Sequence, residues 1–152
     1  MSKAAAQTVL GFDYGSRYIG IAVGQSVTAT AAALETVQVR NGKPDWLRIQ
    51  KLLEEWQPDA VVVGEPLNMD GTEQAMTVAA RRFARQLHGR FGVPVHHVDE
   101  RLSSVEARAQ LAERGQLDRA DHPYAAQLLL ETWLADASLR ACATTQSNVD
   151  GH

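Results

Sequence analysis

Apolar and polar positions change period along this chain: strand-like runs come first, and helices alternate with strands afterwards. Val9-Leu10-Gly11-Phe12-Asp13-Tyr14-Gly15 and Tyr18-Ile19-Gly20-Ile21-Ala22-Val23 are two short apolar runs that predict a hairpin. Ala31 to Val39 reads as a third strand, closed by the turn Arg40-Asn41-Gly42-Lys43. Pro44-Asp45 opens a helix in which Trp46, Leu47, Ile49, Leu52, Leu53 and Trp56 recur at helical spacing, and Pro58-Asp59 ends it. Ala60-Val61-Val62-Val63-Gly64 is continuously apolar, the mark of a central strand covered on both faces. Turn formers fill 65–71, and Thr72-Glu73-Gln74 begins a long helix through Val78, Phe83 and Leu87. Another short strand covers Val93 to Val98. Ser103-Ser104-Val105-Glu106 matches a capping box launching a helix to about Glu113. After a loop from Gly115 to Asp121, His122-Pro123 starts a last helix through Leu134. The expected fold class is α/β, a mixed five-stranded sheet with helices on both faces.

Composition narrows this picture. The 152 residues are 45% hydrophobic and 22% charged, enough apolar material for one globular domain over 1–142. The polar stretch 143–152 is expected to be a disordered tail. A net charge of −3 provides no global attraction to nucleic acid, so any such binding must use a local basic face. The single cysteine, Cys142, excludes an internal disulfide framework and fits a reducing compartment. No run approaches the ~20 apolar residues of a membrane span, and the start is too weakly apolar for a signal peptide. A cytoplasmic protein with no membrane partner is expected.

Candidate chemistry begins with Asp13, a carboxylate at the tip of an apolar strand, where it is poorly solvated and needs a partner or a cation. Glycines at 11, 15, 20 and 24 allow a tight hairpin and a close approach of backbone to a ligand. Asp99 with Glu100, and Asp121 beside His122, also lie where strands or helices end. Acids remote in the chain can converge at the carboxyl edges of neighbouring strands. Magnesium or manganese prefers such oxygen ligands, and a pair of ions could activate water and stabilise the leaving oxygen of a phosphodiester. The plainer reading makes each acid a solvated strand end or helix cap. Arg81, Arg82, Arg85 and Arg90, with His88, form a basic cluster or simply a solvated helix face. His96 and His97 alternate across a strand, so they cannot both ligate one metal from it. They read as structural, and Trp46, Trp56 and Trp133 as core packing.

Three ordered motifs alter that balance. Gly11-Phe12-Asp13-Tyr14-Gly15-Ser16-Arg17-Tyr18-Ile19-Gly20-Ile21-Ala22, Val63-Gly64-Glu65-Pro66-Leu67-Asn68-Met69-Asp70-Gly71-Thr72 and Asp99-Glu100-Arg101-Leu102-Ser103-Ser104 closely resemble the YqgF (RuvX) family. The resemblance runs from about Val9 to Leu134. It implies a ribonuclease H-like fold and a metal-dependent, Holliday-junction-resolvase-like endonuclease, with processing of the 5′ end of precursor 16S rRNA as its role. By this resemblance Asp13 and Glu100 are catalytic metal ligands for Mg or Mn. The family's third acid opens the last helix as Asp-x-x-Ala-Ala, where this chain reads His122-Pro123-Tyr124-Ala125-Ala126, with Asp121 one residue early. His122, Asp121 or a weakened third site are the alternatives, His122 being preferred as ligand or proton carrier. Glu65 is a further departure, either a fourth crevice carboxylate or a solvent-facing group. Arg17, Arg101 and Asn68 are the expected nucleic-acid contacts. A non-catalytic RNA-binding assembly factor and a junction resolvase remain the alternative functions. An actin-like or sugar-kinase-like phosphotransferase lacks its second domain and its adenosine-binding glycine motif. Both monomer and homodimer stay open.

Overall fold

The computed structural model describes residues 7–68, 70–100 and 121–135, and for 121 and 122 the backbone alone. Strands β1 (Thr8–Tyr14), β2 (Tyr18–Gln25) and β3 (Thr30–Arg40) form an antiparallel meander. A two-residue strand β4 (Lys43–Pro44) closes its edge. Helix α1 (Trp46–Trp56) leads to β5 (Ala60–Glu65), and helix α2 (Ala75–Phe91) to β6 (Val95–Asp99). Helix α3 covers Asp121–Ala135. The strand order is β4-β3-β2-β1-β5-β6, with β5 and β6 parallel to β1. The sheet therefore has six strands rather than five. The extra one is Lys43–Pro44, which lies at an edge, where a residue without an N–H is tolerated.

Helices cover both faces, and two separate cores result. On one side Leu10, Phe12, Val61 and Val63 meet Ile49 and Leu52 of α1 and Ala80, Phe83 and Leu87 of α2. On the other, Val9, Ala22 and Val62 meet Ala126, Leu129, Leu130 and Leu134 of α3. Successive residues of β1 and β5 divide between the two cores because side chains alternate across a strand. Both strands read as uninterrupted apolar runs for the same reason. Truncating any of these buried leucines to alanine costs about 2–5 kcal/mol.

The ends of the helices follow local chemistry. The Asp45 side chain accepts from Arg48 N at 3.2 Å and caps α1, which stops at Gln57 in the left-handed region (φ 44) ahead of Pro58. Arg48 also grips Glu35 of β3 in a two-point ion pair of 2.7 and 2.5 Å, tying α1 to the sheet. Helix α2 begins at Ala75 behind the cap Gln74, later than its acidic approach residues predicted, and ends at Gly92 (φ 69). The expected helix from Ser103 to Glu113 and the tail 143–152 lie outside the described residues. Among the described residues no helix is long and apolar enough to cross a membrane.

Candidate active site

Asp13 is placed by the alternation along β1. Val9 belongs to the α3-side core, Leu10 and Phe12 to the other, and Gly11 lies beneath Leu130. Asp13 therefore faces the α3 side, and only 7% of its surface is exposed. On β5 the same rule puts Val62 and Gly64 on that face. The register Phe12↔Val63 sets Asp13 beside Gly64 on the neighbouring strand.

Glu100 follows β6 and folds back over Gly64. A Cβ at position 64 would stand 2.8 Å from Glu100 Oε2 and 3.1 Å from its Cγ. The missing side chain at Gly64 is what admits the Glu100 carboxylate to the face that carries Asp13. Two carboxylates remote in the chain thus lie on one face at the carboxyl ends of the parallel strands β1 and β6, with Gly64 of β5 between them.

Helix α3 brings its first turn to the same place. Leu134 and Leu130 cover Gly24, which pairs with Val9, while Leu130 and the Ala126 carbonyl cover Gly11. The helix therefore runs antiparallel to β1. Asp13 lies two residues beyond Gly11, ~6.6 Å of strand, which equals roughly four helical residues. That step puts the backbone of 121–124 level with Asp13, with the positive end of the helix towards the two acids. Gly11 and Gly24 consequently make room for α3, and not for a ligand as the sequence predicts.

Glu65 lies on the opposite face. Its Oε2 accepts from Arg81 Nε at 3.0 Å and lies 3.1 Å from His97 Nδ1, and Arg81 also binds Glu73. Glu65 is thus neither a crevice carboxylate nor a solvent-facing group: it anchors an ion network that fastens α2 to β5 and β6. The hydrogen bonds from Glu65 and Glu73, the first the larger, hold the Arg81 guanidinium above its ordinary value. Asp99, beside Glu65 in the register, shares that face. His96 and His97 do point apart: His96 lies 5.2 Å from the Trp133 ring, and burial, with the charge of His97, pushes its imidazole below the usual value.

The basic cluster on α2 divides. Arg81 is ion-paired, Arg90 sits 4.3 Å over the Trp46 ring, and His88 Nδ1 meets the Val93 carbonyl at 3.1 Å. Arg82 and Arg85 stay exposed, Arg82 near enough to Tyr14 to oppose the burial that raises its phenol. Arg17 is exposed on the turn between β1 and β2, at the crevice end of the sheet. Asn68 lies on an exposed loop after β5, where its Nδ2 donates to Thr72 Oγ1 at 2.9 Å. Arg101 lies outside the described residues, as do the side chains of Asp121 and His122. Among the described residues no three acidic, histidine or cysteine side chains form a metal cluster. The role of Gly64 in seating Glu100 escaped the sequence reading, and Arg81, read there as part of a basic cluster, is instead paired with Glu65 and Glu73. A glycine closing an apolar strand was the available signal for Gly64.

Comparison with known proteins agrees with this architecture. The family model described as "RuvX: Holliday junction resolvase" matches residues 7–136. A Pectobacterium atrosepticum protein described as "Putative pre-16S rRNA nuclease" is 56% identical over 131 residues, covering 84% of this chain and 94% of that protein. A Yersinia pestis protein of the same description is 56% identical over 133 residues, covering 85% and 95%. Among solved structures, Thermus thermophilus RuvC in complex with a Holliday junction substrate aligns with a TM-score of 0.56 at 22% identity, over 83% of this chain and 92% of that one. A second Thermus thermophilus RuvC structure aligns with a TM-score of 0.54 at 20% identity, over 86% and 96%. The expected ribonuclease H-like α/β fold is therefore present, and the chain belongs to the RuvX family of Holliday-junction-resolvase-like nucleases.

Proposed function

We propose that this nuclease hydrolyses phosphodiesters at the 5′ end of precursor 16S rRNA in the cytoplasm, with Asp13 and Glu100 as its metal-binding acids. The observation that carries the reading is the placement of those two carboxylates on one face across Gly64, level with the start of α3. The donor chemistry fits a hard divalent cation: both side chains offer oxygen, Asp13 is nearly buried, and it has no ion-pair partner among the described residues. Magnesium or manganese would be held by Asp13, Glu100 and either His122 or Asp121, and would supply the Lewis acidity that activates water and stabilises the leaving oxygen. Of the two candidates opening α3, His122 is the proposed third member, as ligand or proton carrier. Arg17 and Arg101 would take backbone phosphates with their planar guanidinium groups. Asn68 would meet a phosphate or a sugar from the loop after β5. Trimming one RNA end uses one site, so a monomer suffices, whereas paired cuts in a junction need a two-fold dimer.

The test incubates purified protein with precursor 16S rRNA, and separately with a four-way DNA junction, in manganese, alongside Asp13→Asn and His122→Ala. Manganese-dependent cleavage of the RNA by the unaltered protein, lost in both variants, is the expected result. Equal cleavage by Asp13→Asn would sink the reading, and wild-type cleavage by His122→Ala would remove that residue from the site. Cleavage of the junction alone would assign DNA as the substrate.

A further inference from the structure

We infer that the tight hairpin joining β3 to β4 is a second phosphate-binding surface, formed by Arg40, Asn41 and Lys43 with Arg17 at its inner edge, that holds the substrate strand a few nucleotides from the acidic crevice. The inference rests on the nuclease reading of Asp13 and Glu100. Strand direction is its first support. β1 ends, β2 begins and β3 ends at the same edge of the sheet, so the hairpin and the two acids share one rim. The Arg17 carbonyl accepts from Val39 N at 2.8 Å, which fixes the β1–β2 turn against the end of β3. Arg40 and Lys43 face each other in the β3–β4 register.

These cations are exposed and, among the described residues, free of ion pairs, whereas Arg48 and Arg81 are matched to carboxylates. Arg40 donates from Nε and a terminal nitrogen to Gln38 Oε1 at 3.3 and 3.0 Å. That neutral partner orients the guanidinium without cancelling its charge. Asn41 (φ 53) and Gly42 (φ 75) take successive left-handed conformations, as in a tight two-residue hairpin turn, so the cations ride on a defined backbone. Between them lies an open groove of about 570 Å³ lined by Gln38, Arg40, Asn41, Lys43, Pro44 and Asp45. The Asp45 carboxylate is engaged with the first turn of α1. Two cations and two amides suit phosphate and sugar, while the groove offers no exposed apolar anchor for a protein partner. Three strand spacings separate β1 from β4, ~14 Å in all. A stacked strand rising 3.4 Å per nucleotide covers that in about four nucleotides.

The experiment measures RNA binding by fluorescence anisotropy across a salt series, in an Asp13→Asn background that leaves the RNA intact. Probes are a single-stranded trimer, too short to reach the hairpin from the crevice, and a dodecamer. Arg40→Gln/Lys43→Gln is compared with Lys51→Gln/Arg85→Gln, which removes the same charge from the helices. For two lost phosphate contacts the dodecamer's salt slope should fall by about 1.4 in the hairpin variant. Its affinity at low salt should drop roughly tenfold, and trimer binding and the helix variant should be unchanged. An unaltered dodecamer slope, or an equal loss in the helix variant, would overturn the hairpin surface and leave the nuclease reading standing. Absence of RNA binding by the parent with its hairpin intact would overturn both.

Discussion

At position 64 a methyl group would stand 2.6 Å from Leu129 Cδ1 and 2.8 Å from Glu100 Oε2, closer than side-chain atoms approach without something moving. Gly64→Ala therefore pushes on the α3 core and on one of the two crevice acids at once. Relieving the leucine contact should cost about 1–3 kcal/mol of stability, as overpacking does. Displacing Glu100 by ~1 Å should lower turnover roughly a hundredfold. Denaturant melts and turnover measured well below the melting temperature separate the two effects. Wild-type turnover in a folded Gly64→Ala protein would show that Glu100 need not sit there. Asp13 was legible in the sequence because an acid ending an apolar run is chemically conspicuous. Gly64 and Glu65 were not, because the period of two says that neighbours face opposite ways without saying which face holds the crevice. Only the helices assign the faces: Leu129 marks one, Arg81 the other.

Among the elements, α2 holds the loop after β5 from both ends. Thr77 Oγ1 donates to the Pro66 carbonyl, and Arg81 binds Glu65 before the loop and Glu73 near its end. Inside it, Asn68 N meets the Thr72 carbonyl at 2.9 Å, and Gly71 (φ 88) turns the chain. Solvent screens ion pairs as exposed as these, so Arg81→Ala should shift the midpoint of global unfolding only slightly. Its local effect should be larger. Amide exchange across 67–73 should accelerate, and the Michaelis constant for RNA should rise with kcat nearly kept, because Asn68 loses a fixed position. Unchanged exchange in that loop would show that Thr77 alone secures it. Most elements were readable from periodicity, since α1 and α2 carry apolar residues at helical spacing and β5 is an apolar run bounded by turn formers. The strand Lys43–Pro44 was not. Two residues carry no period, and its pairing depends on where the Asn41-Gly42 turn returns the chain.

At the scale of the whole molecule, a net charge of −3 hides an uneven distribution. Sequence spacing drew attention to the arginines of α2, yet two of those side chains are spent on Glu65, Glu73 and Trp46. Arg82 and Arg85 stay exposed on α2, while among the described residues Arg17, Arg40 and Lys43 are exposed, unpaired cations at the same end of the sheet as Asp13, a placement that depends on strand order and is invisible to local pattern. In the proposed metal site Asp13 and Glu100, far apart in the unfolded chain, would be brought together on folding, and a divalent ion held by both would offset their mutual repulsion. An ion bound only by the native state at a hundred times its dissociation constant stabilises by about 2.7 kcal/mol. For a chain of this size that raises Tm by roughly 5–10 °C. Manganese should therefore raise the melting temperature of the unaltered protein in a concentration-dependent way. It should do so equally in Arg40→Gln/Lys43→Gln, whose substitutions lie away from the crevice acids. Asp13→Asn should lose the shift while melting, without metal, no lower than the metal-free wild type, because one of the two repelling charges is gone. A manganese shift that survives in Asp13→Asn would place the stabilising ion elsewhere, and a strongly destabilised metal-free Asp13→Asn would mean that the aspartate serves the fold rather than a cation.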